Sequence, residues 1–216
     1  MNKLHLIIII ISIIIIISCA FIKTSKEGLT LNNNIILIGD SVLNNTAYVP
    51  AGKSVFNYLK EKTPNVFNFA KDGATIQDCY DQLENIPSTF NNTNTYLFIS
   101  VGGNDILNKR GQLNNNEIDA LFRKYLDFIN ALNAKFGSVN INIFNLYIPP
   151  DPLYLNYKPS IDQWNKLIQQ NSNRIGAMYN VMDIYNLLTS PNDFIYGYEP
   201  SAQASNKIAN LIYITS

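Results

Sequence analysis

Histidine is almost missing from this chain of 216 residues: His5 is the only one, and it lies within an apolar stretch at the N-terminus. Cysteine is nearly as scarce, with only Cys19 and Cys79. No His or Cys cluster exists and the carboxylates show no recognisable metal-ligand spacing, so the sequence offers no support for metal catalysis and we expect no metal and no cofactor. Cys19 sits in the apolar stretch, so no disulfide is available to a folded domain around Cys79, and stability has to come from the core. Excess charge is absent too: 16 basic and 16 acidic residues cancel and are scattered, so nothing invites nucleic acid. No repeat of 20 to 50 residues and no second hydrophobic core is visible, which together with the length implies one domain.

What the chain does have is a nearly unbroken apolar run from Leu4 to Ile22, interrupted by His5, Ser12 and Ser18 and flanked by Lys3, Lys23 and Lys26. A signal peptide and an uncleaved membrane anchor both fit a run of this length. Ile16-Ile17-Ser18-Cys19 also resembles a degenerate lipobox in which Cys19 would carry lipid, while a cysteine buried in the membrane is the plainer reading. The expected organisation is therefore a hydrophobic signal peptide or anchor over 1–22, a linker over 23–34 and a folded domain over 35–216. The domain would be secreted or membrane-anchored, on the non-cytoplasmic side. Asparagine recurs in runs such as 32–34, 91–92 and 114–116, which read as turns. Asn44-Asn45-Thr46 and Asn91-Asn92-Thr93 match the glycosylation acceptor pattern, relevant only in a eukaryotic secretory route.

Ile35-Ile36-Leu37-Ile38 is apolar at every position and ends at Gly39, as expected of a strand buried on both faces of a parallel sheet. Similar runs at 66–70, 96–101, 141–146 and around 181–184 make five strands. Helical spacing is clearest from Asn116 to Phe136, where Ile118, Leu121, Phe122, Tyr125, Phe128, Ile129 and Leu132 share a face. Helices are also expected over 54–62, 76–85, 161–178 and 201–213, with Thr75, Ser160 and Pro200-Ser201 as start signals. Strand and helix alternate, which implies an α/β domain with a parallel sheet covered on both sides and ligands bound at the carboxyl ends of the strands.

Three polar blocks fall at those strand ends. Gly39-Asp40-Ser41 follows the first strand and puts Ser41 in a nucleophile's position, although such a tripeptide also makes ordinary turns. Asp72-Gly73-Ala74 follows the second, where a glycine N–H can approach a ligand closely. Gly102-Gly103-Asn104-Asp105 follows the third and brings the Asn104 carboxamide to the same rim. Asp105 reads as a brace or cap for that loop, and Asp193 either orients a proton acceptor or starts the final turn. Tyr147, Pro149-Pro150-Asp151-Pro152, Tyr154 and Tyr157 line a crevice or form a rigid loop. Trp164 reads as a core aromatic and Lys109-Arg110 as a solvated pair.

In these blocks the chain resembles the SGNH (GDSL-type) hydrolases, from about Ile35 to Ile212. The resemblance implies a three-layer α/β/α sandwich with a five-stranded parallel sheet, flavodoxin-like, and a serine nucleophile at Ser41. It implies an oxyanion hole formed by the Ser41 N–H, the Gly73 N–H and the Asn104 amide, with Asp40, Asp105 and Asp193 in supporting places. The chain departs from the family at its last block, where Asp-x-x-His-Pro-Ser corresponds to Tyr196-Gly197-Tyr198-Glu199-Pro200-Ser201. Glu199 occupies the histidine's place, and no histidine can serve Ser41. A glutamate accepts a serine proton less readily than imidazole, its ordinary pKa of ~4.3 against ~6.5, unless burial raises it. Three expectations follow. One is a hydrolase of carboxylic esters, such as acyl or acetyl groups of lipids or glycans, with Ser41 as nucleophile and Glu199 as base. Another is a pseudoenzyme that binds a ligand or partner at a retained oxyanion pocket. The third is a structural surface protein that uses the domain as a scaffold.

Overall fold

The five apolar runs are the five strands of one parallel sheet in the computed structural model, which describes residues 33–109, 112–172 and 179–216. The N-terminal run, Cys19, Arg110 and the expected helix end near Met178 lie outside the described residues. Among the described residues, no helix is long and apolar enough to cross a membrane.

Strands β1 (Asn34–Gly39), β2 (Val66–Asn68), β3 (Thr95–Ser100), β4 (Asn140–Phe144) and β5 (Tyr179–Met182) lie in the order β2-β1-β3-β4-β5. The register pairs Ile35 with Val66, Ile38 with Ile99, Gly39 with Ser100, and Ile99 with Ile143. Because side chains alternate along a strand, β1 serves two cores. Ile36 and Ile38 pack with Leu97, Ile99, Ile141 and Ile143 beneath α2 (Ile76–Glu84), α4 (Asn115–Lys135) and α5 (Lys158–Asn171). Ile35 and Leu37 pack with Phe98, Phe144 and Met182 against α1 (Val55–Lys62) and α6 (Ala202–Thr215). All four β1 side chains are essentially inaccessible, and each such burial contributes roughly 1.5–3 kcal/mol. The result is the expected three-layer α/β/α sandwich.

Several ends differ from the sequence reading for identifiable reasons. Ser160 does not start a helix: α5 begins at Lys158, continuous with a 3₁₀ turn over Pro152–Tyr157. Ser160 is buried inside α5, where its hydroxyl bonds the Leu113 N–H at 3.0 Å. Thr75 and Ser201 do sit at helix N-caps. Strand β5 stops at Met182 rather than near Ile184, because the Asn145 Oδ1 accepts from the N–H groups of Ile184 at 2.8 Å and Tyr185 at 3.0 Å and turns the chain away. A short helix α3 (Gly103–Leu107) and a two-stranded hairpin, β6 (Phe194–Ile195) with β7 (Glu199–Pro200), are additions that the sequence reading lacked.

The end of β1 is the tightest point. Gly39 has φ 128, and a Cβ there would lie 1.8 Å from the Ser100 carbonyl oxygen. From α2, Gln82 reaches into the core and bonds both backbone groups of Gly39, at 2.7 and 2.9 Å. Gly39→Ala is therefore expected to lose on the order of 3 kcal/mol or more of stability. Gly52→Ala, at φ 77 with nothing within 4 Å, should lose about 1 kcal/mol. Urea unfolding of the two variants checks this, and equal losses would mean that backbone torsion rather than the approach to Ser100 sets the requirement.

Candidate active site

The chain turns sharply as it leaves β1, with the N–H groups of Leu43 and Asn44 both bonded to the Asp40 carbonyl. Asp40 points inward and is buried, and its Oδ1 accepts from the Val42 N–H at 3.1 Å and from the Ser100 hydroxyl at 3.0 Å. Ser41 is thereby lifted toward the cleft at the carboxyl edge of the sheet. Its side chain remains mostly covered, 7% exposed, and its Oγ donates to the Glu199 Oε1 at 3.1 Å.

Glu199 reaches Ser41 from the far end of the chain through the β6–β7 hairpin. The connecting turn needs positive φ at two successive residues, Tyr196 at 54 and Gly197 at 82. For a tyrosine, that conformation costs roughly 1–2 kcal/mol. The hairpin is held on several sides. Tyr147 donates its hydroxyl to the Tyr198 carbonyl at 2.8 Å, and the Ser201 N–H bonds the Asp193 carbonyl at 2.9 Å. Asn45, wholly buried, donates to the Pro200 carbonyl at 3.2 Å and to the Ser205 hydroxyl at 2.6 Å, while its Oδ1 accepts from the Val55 N–H at 3.2 Å. One amide thus ties the Ser41 turn, the start of α1, the Glu199 strand and α6 together.

The electrostatics of the site follow from its burial. Glu199 is 4% exposed, and its pKa is pushed up to about 7, chiefly by desolvation, with the Asp72 charge adding and the Ser41 hydrogen bond opposing. Its second oxygen, Oε2, is buried with no hydrogen-bond partner. Asp40 is also raised to about 7, first by burial and further by Glu199, against the bonds from Ser100 and Val42.

Asn104, in the first turn of α3, donates its Nδ2 to the Ala74 carbonyl at 3.0 Å. That bond joins the third polar block to the second, since Gly73 precedes Ala74. Gly73 has φ 70 in the turn closed by the Ala74 N–H to the Lys71 carbonyl, with open space where a Cβ would be, so its conformation rather than crowding calls for glycine. The Tyr48 hydroxyl donates to the Asp72 carboxylate beside it, and the Tyr48 ring stands edge-on to Tyr196.

Asp40, Ser41, Asn104 and Glu199 line one cleft, together with Tyr147, Tyr198 and a set of apolar side chains. Gly73, Asp105 and Asp193 fall outside that lining. The Asp105 Oδ2 accepts from the Ile76 N–H at 3.0 Å and braces the start of α2. The Asp193 carboxylate is wholly buried and taken up by Lys207 at 2.7 Å, Gln203 at 3.3 Å and the Ser190 N–H at 3.0 Å. Trp164 is in the core. Gln82, Asn45, Ser100 and Tyr147 were not singled out from the sequence for these structural roles. Gln82 carried a signal, a polar residue on the face that Ile76, Cys79 and Leu83 bury. Among the described residues, no three metal-ligating side chains come together.

The family model described as GDSL-like Lipase/Acylhydrolase matches residues 35–212. Comparison with curated proteins returns no match. The chain is similar in structure to a member of the lipolytic protein G-D-S-L family from Veillonella parvula. The TM-score is 0.65 at 20% identity, over 84% of this chain and 96% of that one. A GDSL-like lipase from Bacteroides thetaiotaomicron gives a TM-score of 0.63 at 13% identity, over 88% and 90%. An acetyl xylan esterase, AlAXEase, gives 0.60 at 13%, over 84% and 98%.

The raised carboxylates make stability depend on pH in a defined direction. Between the ordinary carboxylate range and about 7, the folded protein keeps protons on Asp40 and Glu199 that the unfolded chain releases. Their contribution is full at low pH and is lost as pH rises through about 7. Glu199→Gln, which stays uncharged, should therefore be more stable than the parent at pH 8, by roughly 1–3 kcal/mol, with the gap closing near pH 4. Urea midpoints at the two pH values test this. A gap that persisted at pH 4 would point to packing rather than charge.

Proposed function

Because the chain belongs to the GDSL-like lipase/acylhydrolase family, we propose that it hydrolyses carboxylic esters with Ser41 as nucleophile and Glu199 as the general base. The observation that carries this reading is the 3.1 Å hydrogen bond from the Ser41 Oγ to the Glu199 Oε1, made at the place where the resemblance leads one to expect a histidine. A pKa of about 7 suits the carboxylate to take a proton near neutral pH and return it.

In the proposed sequence, the Ser41 Oγ attacks the ester carbonyl carbon while its proton passes to Glu199. The carbonyl oxygen becomes an oxyanion received by the N–H groups of Ser41 and Gly73 and the Asn104 amide. Collapse of the tetrahedral intermediate breaks the bond to the alcohol oxygen, which takes the proton from Glu199. Water then adds to the acyl-serine with Glu199 accepting its proton, and the second collapse returns that proton to the Ser41 Oγ and releases the acid. The second oxygen, Oε2, is buried and partnerless, so the proton is carried by Oε1, the oxygen that the Ser41 Oγ already touches. Small ester substrates suit the family; acyl or acetyl groups on lipids or glycans are the natural sources. The apolar N-terminal segment would place the domain outside the cytoplasm, either secreted or held at a membrane.

A second reading, a binding protein without turnover, is favoured by two details. Asn104 already spends an amide proton on Ala74, and Gly73 lies outside the cleft lining.

The two readings separate in short-chain ester turnover and fluorophosphonate labelling by the full-length chain. We expect labelling that is abolished by Ser41→Ala, and a kcat reduced by ~10²–10⁴ in Glu199→Gln and by ~10²–10³ in Asn104→Ala. The value of kcat/KM should rise about tenfold per pH unit below the Glu199 pKa of about 7 and level off above it. Reversible ester binding with neither labelling nor turnover would leave the binding protein, and turnover unchanged in Glu199→Gln would remove Glu199 from the mechanism.

A further inference from the structure

The cleft beside Ser41 is lined in large part by apolar side chains. Ile106 and Leu107 from α3, Leu146 and Pro149 from the segment after β4, and Ile161 from α5 line it. Among the described residues that line it there is no lysine, arginine or histidine; its charged-type members are the two acids, Asp40 and Glu199. The whole cleft, the part beside Ser41 and Glu199 included, has a free volume of about 60 Å³. Since roughly 10–15 Å³ of such volume admits one water-sized group, the space suits about four or five non-hydrogen atoms.

The floor of this pocket is fixed. Asn165 of α5 grips the Leu146 backbone from both sides, its Oδ1 accepting from the Leu146 N–H at 2.8 Å and its Nδ2 donating to the Leu146 carbonyl at 2.7 Å. Leu146 is 6% exposed and Ile161 5% exposed. A side chain whose backbone is held by two hydrogen bonds, packed against a helix that also supplies its neighbour, yields little to a longer ligand.

Building on the ester-hydrolase reading, we infer that this pocket takes the acyl group, that it selects short uncharged acyl chains of two to about four carbons, and that Leu146 and Ile161 set the upper limit. The apolar lining suits an uncharged chain, and a cleft this small has no room for the bulk of a larger substrate. Acetyl and butyryl esters of a large alcohol meet both conditions. An acyl group ending in a carboxylate or phosphate would be buried against two acids with no cation to receive it, which is strongly unfavourable.

The test is a matrix of esters on the full-length chain, acyl chains of two to ten carbons on one alcohol and acetates of alcohols of two to ten carbons, with a hemisuccinyl ester as the charged control. Expected is a kcat/KM that falls at least tenfold between the four- and eight-carbon acyl groups, varies little with alcohol length, and is lowest for the hemisuccinate. Leu146→Ala should raise the eight-carbon rate relative to the acetyl rate by tenfold or more, and the milder Ile161→Val should shift it in the same direction. A flat acyl profile, a cutoff that follows the alcohol, or a profile unmoved in both variants would overturn the assignment. Absence of turnover would count against the Ser41–Glu199 chemistry alone. The pocket is then read from the Leu146 and Ile161 methyl resonances of Ser41→Ala. Saturable shifts with ethyl acetate and ethyl butyrate but not ethyl octanoate support the assignment, and none with any of the three overturns it.

Discussion

Two carboxylates, Asp40 and Glu199, are buried at the carboxyl end of the sheet with no cation lining the cleft beside them, and the surrounding architecture serves to hold them there. An isolated buried carboxylate is expensive to ionise, and two close together more so, because each raises the other's affinity for a proton. Proteins usually relieve such a site with a lysine or arginine. Among the described residues, the buried carboxylate that is given a cation is Asp193, paired with Lys207 away from the cleft. The network around the other two is made of neutral groups, the hydroxyl of Ser100, the backbone N–H of Val42 and the hydroxyl of Ser41.

The same constraint explains where the polar side chains of the core are found. Asn45 ties the Ser41 turn to the strand that carries Glu199, Gln82 bonds both backbone groups of Gly39, whose carbonyl also accepts from the Lys71 N–H, and Tyr147 holds the hairpin through the Tyr198 carbonyl. Each uses a polar side chain to fix backbone groups near the buried site. Together they fix two chain segments 158 residues apart to within a hydrogen bond. Strain at Tyr196, a tyrosine in left-handed conformation, is accepted at the turn that makes this approach.

How much of this was legible in the sequence depends on the range of the interaction. The strands were readable because Ile35 to Ile38 are apolar without alternation, which only two-sided burial explains, and their parallel pairing follows from the intervening helices. The strand-end blocks were readable because a parallel sheet brings its carboxyl ends to one rim, so Ser41, Asn104 and the Asp72-Gly73 turn fall near one another. Long-range side-chain bonds were not readable: nothing near Asn45 in the chain distinguishes it from the many loop asparagines around it. Ser160 misled for a related reason. A serine before an apolar helical run has the local appearance of a cap, but its hydroxyl is used by Leu113, 47 residues away. The β6–β7 hairpin escaped because two-residue strands carry no periodicity, and of the two positive-φ positions at its turn only Gly197 holds a residue that signals one.

The identity of the residue at position 199 changes what the rest of the fold must do for the proposed chemistry. Imidazole in water already has a pKa near neutrality, so a histidine base tolerates solvent around it. A carboxylate in water sits about two units or more below that and must be raised by removing water, since hydrogen bonds to its charged form lower it again. The hydrogen bond that positions Ser41 and the burial that raises Glu199 therefore work against each other, and burial prevails here. Admitting water to the hairpin would return the carboxylate toward its ordinary range and weaken it as a base. The Tyr147 hydroxyl, the Asn45 amide and the Tyr198 ring, which packs 5.3 Å from that of Tyr154, are in this sense as much a part of the proposed dyad as the two residues that make it.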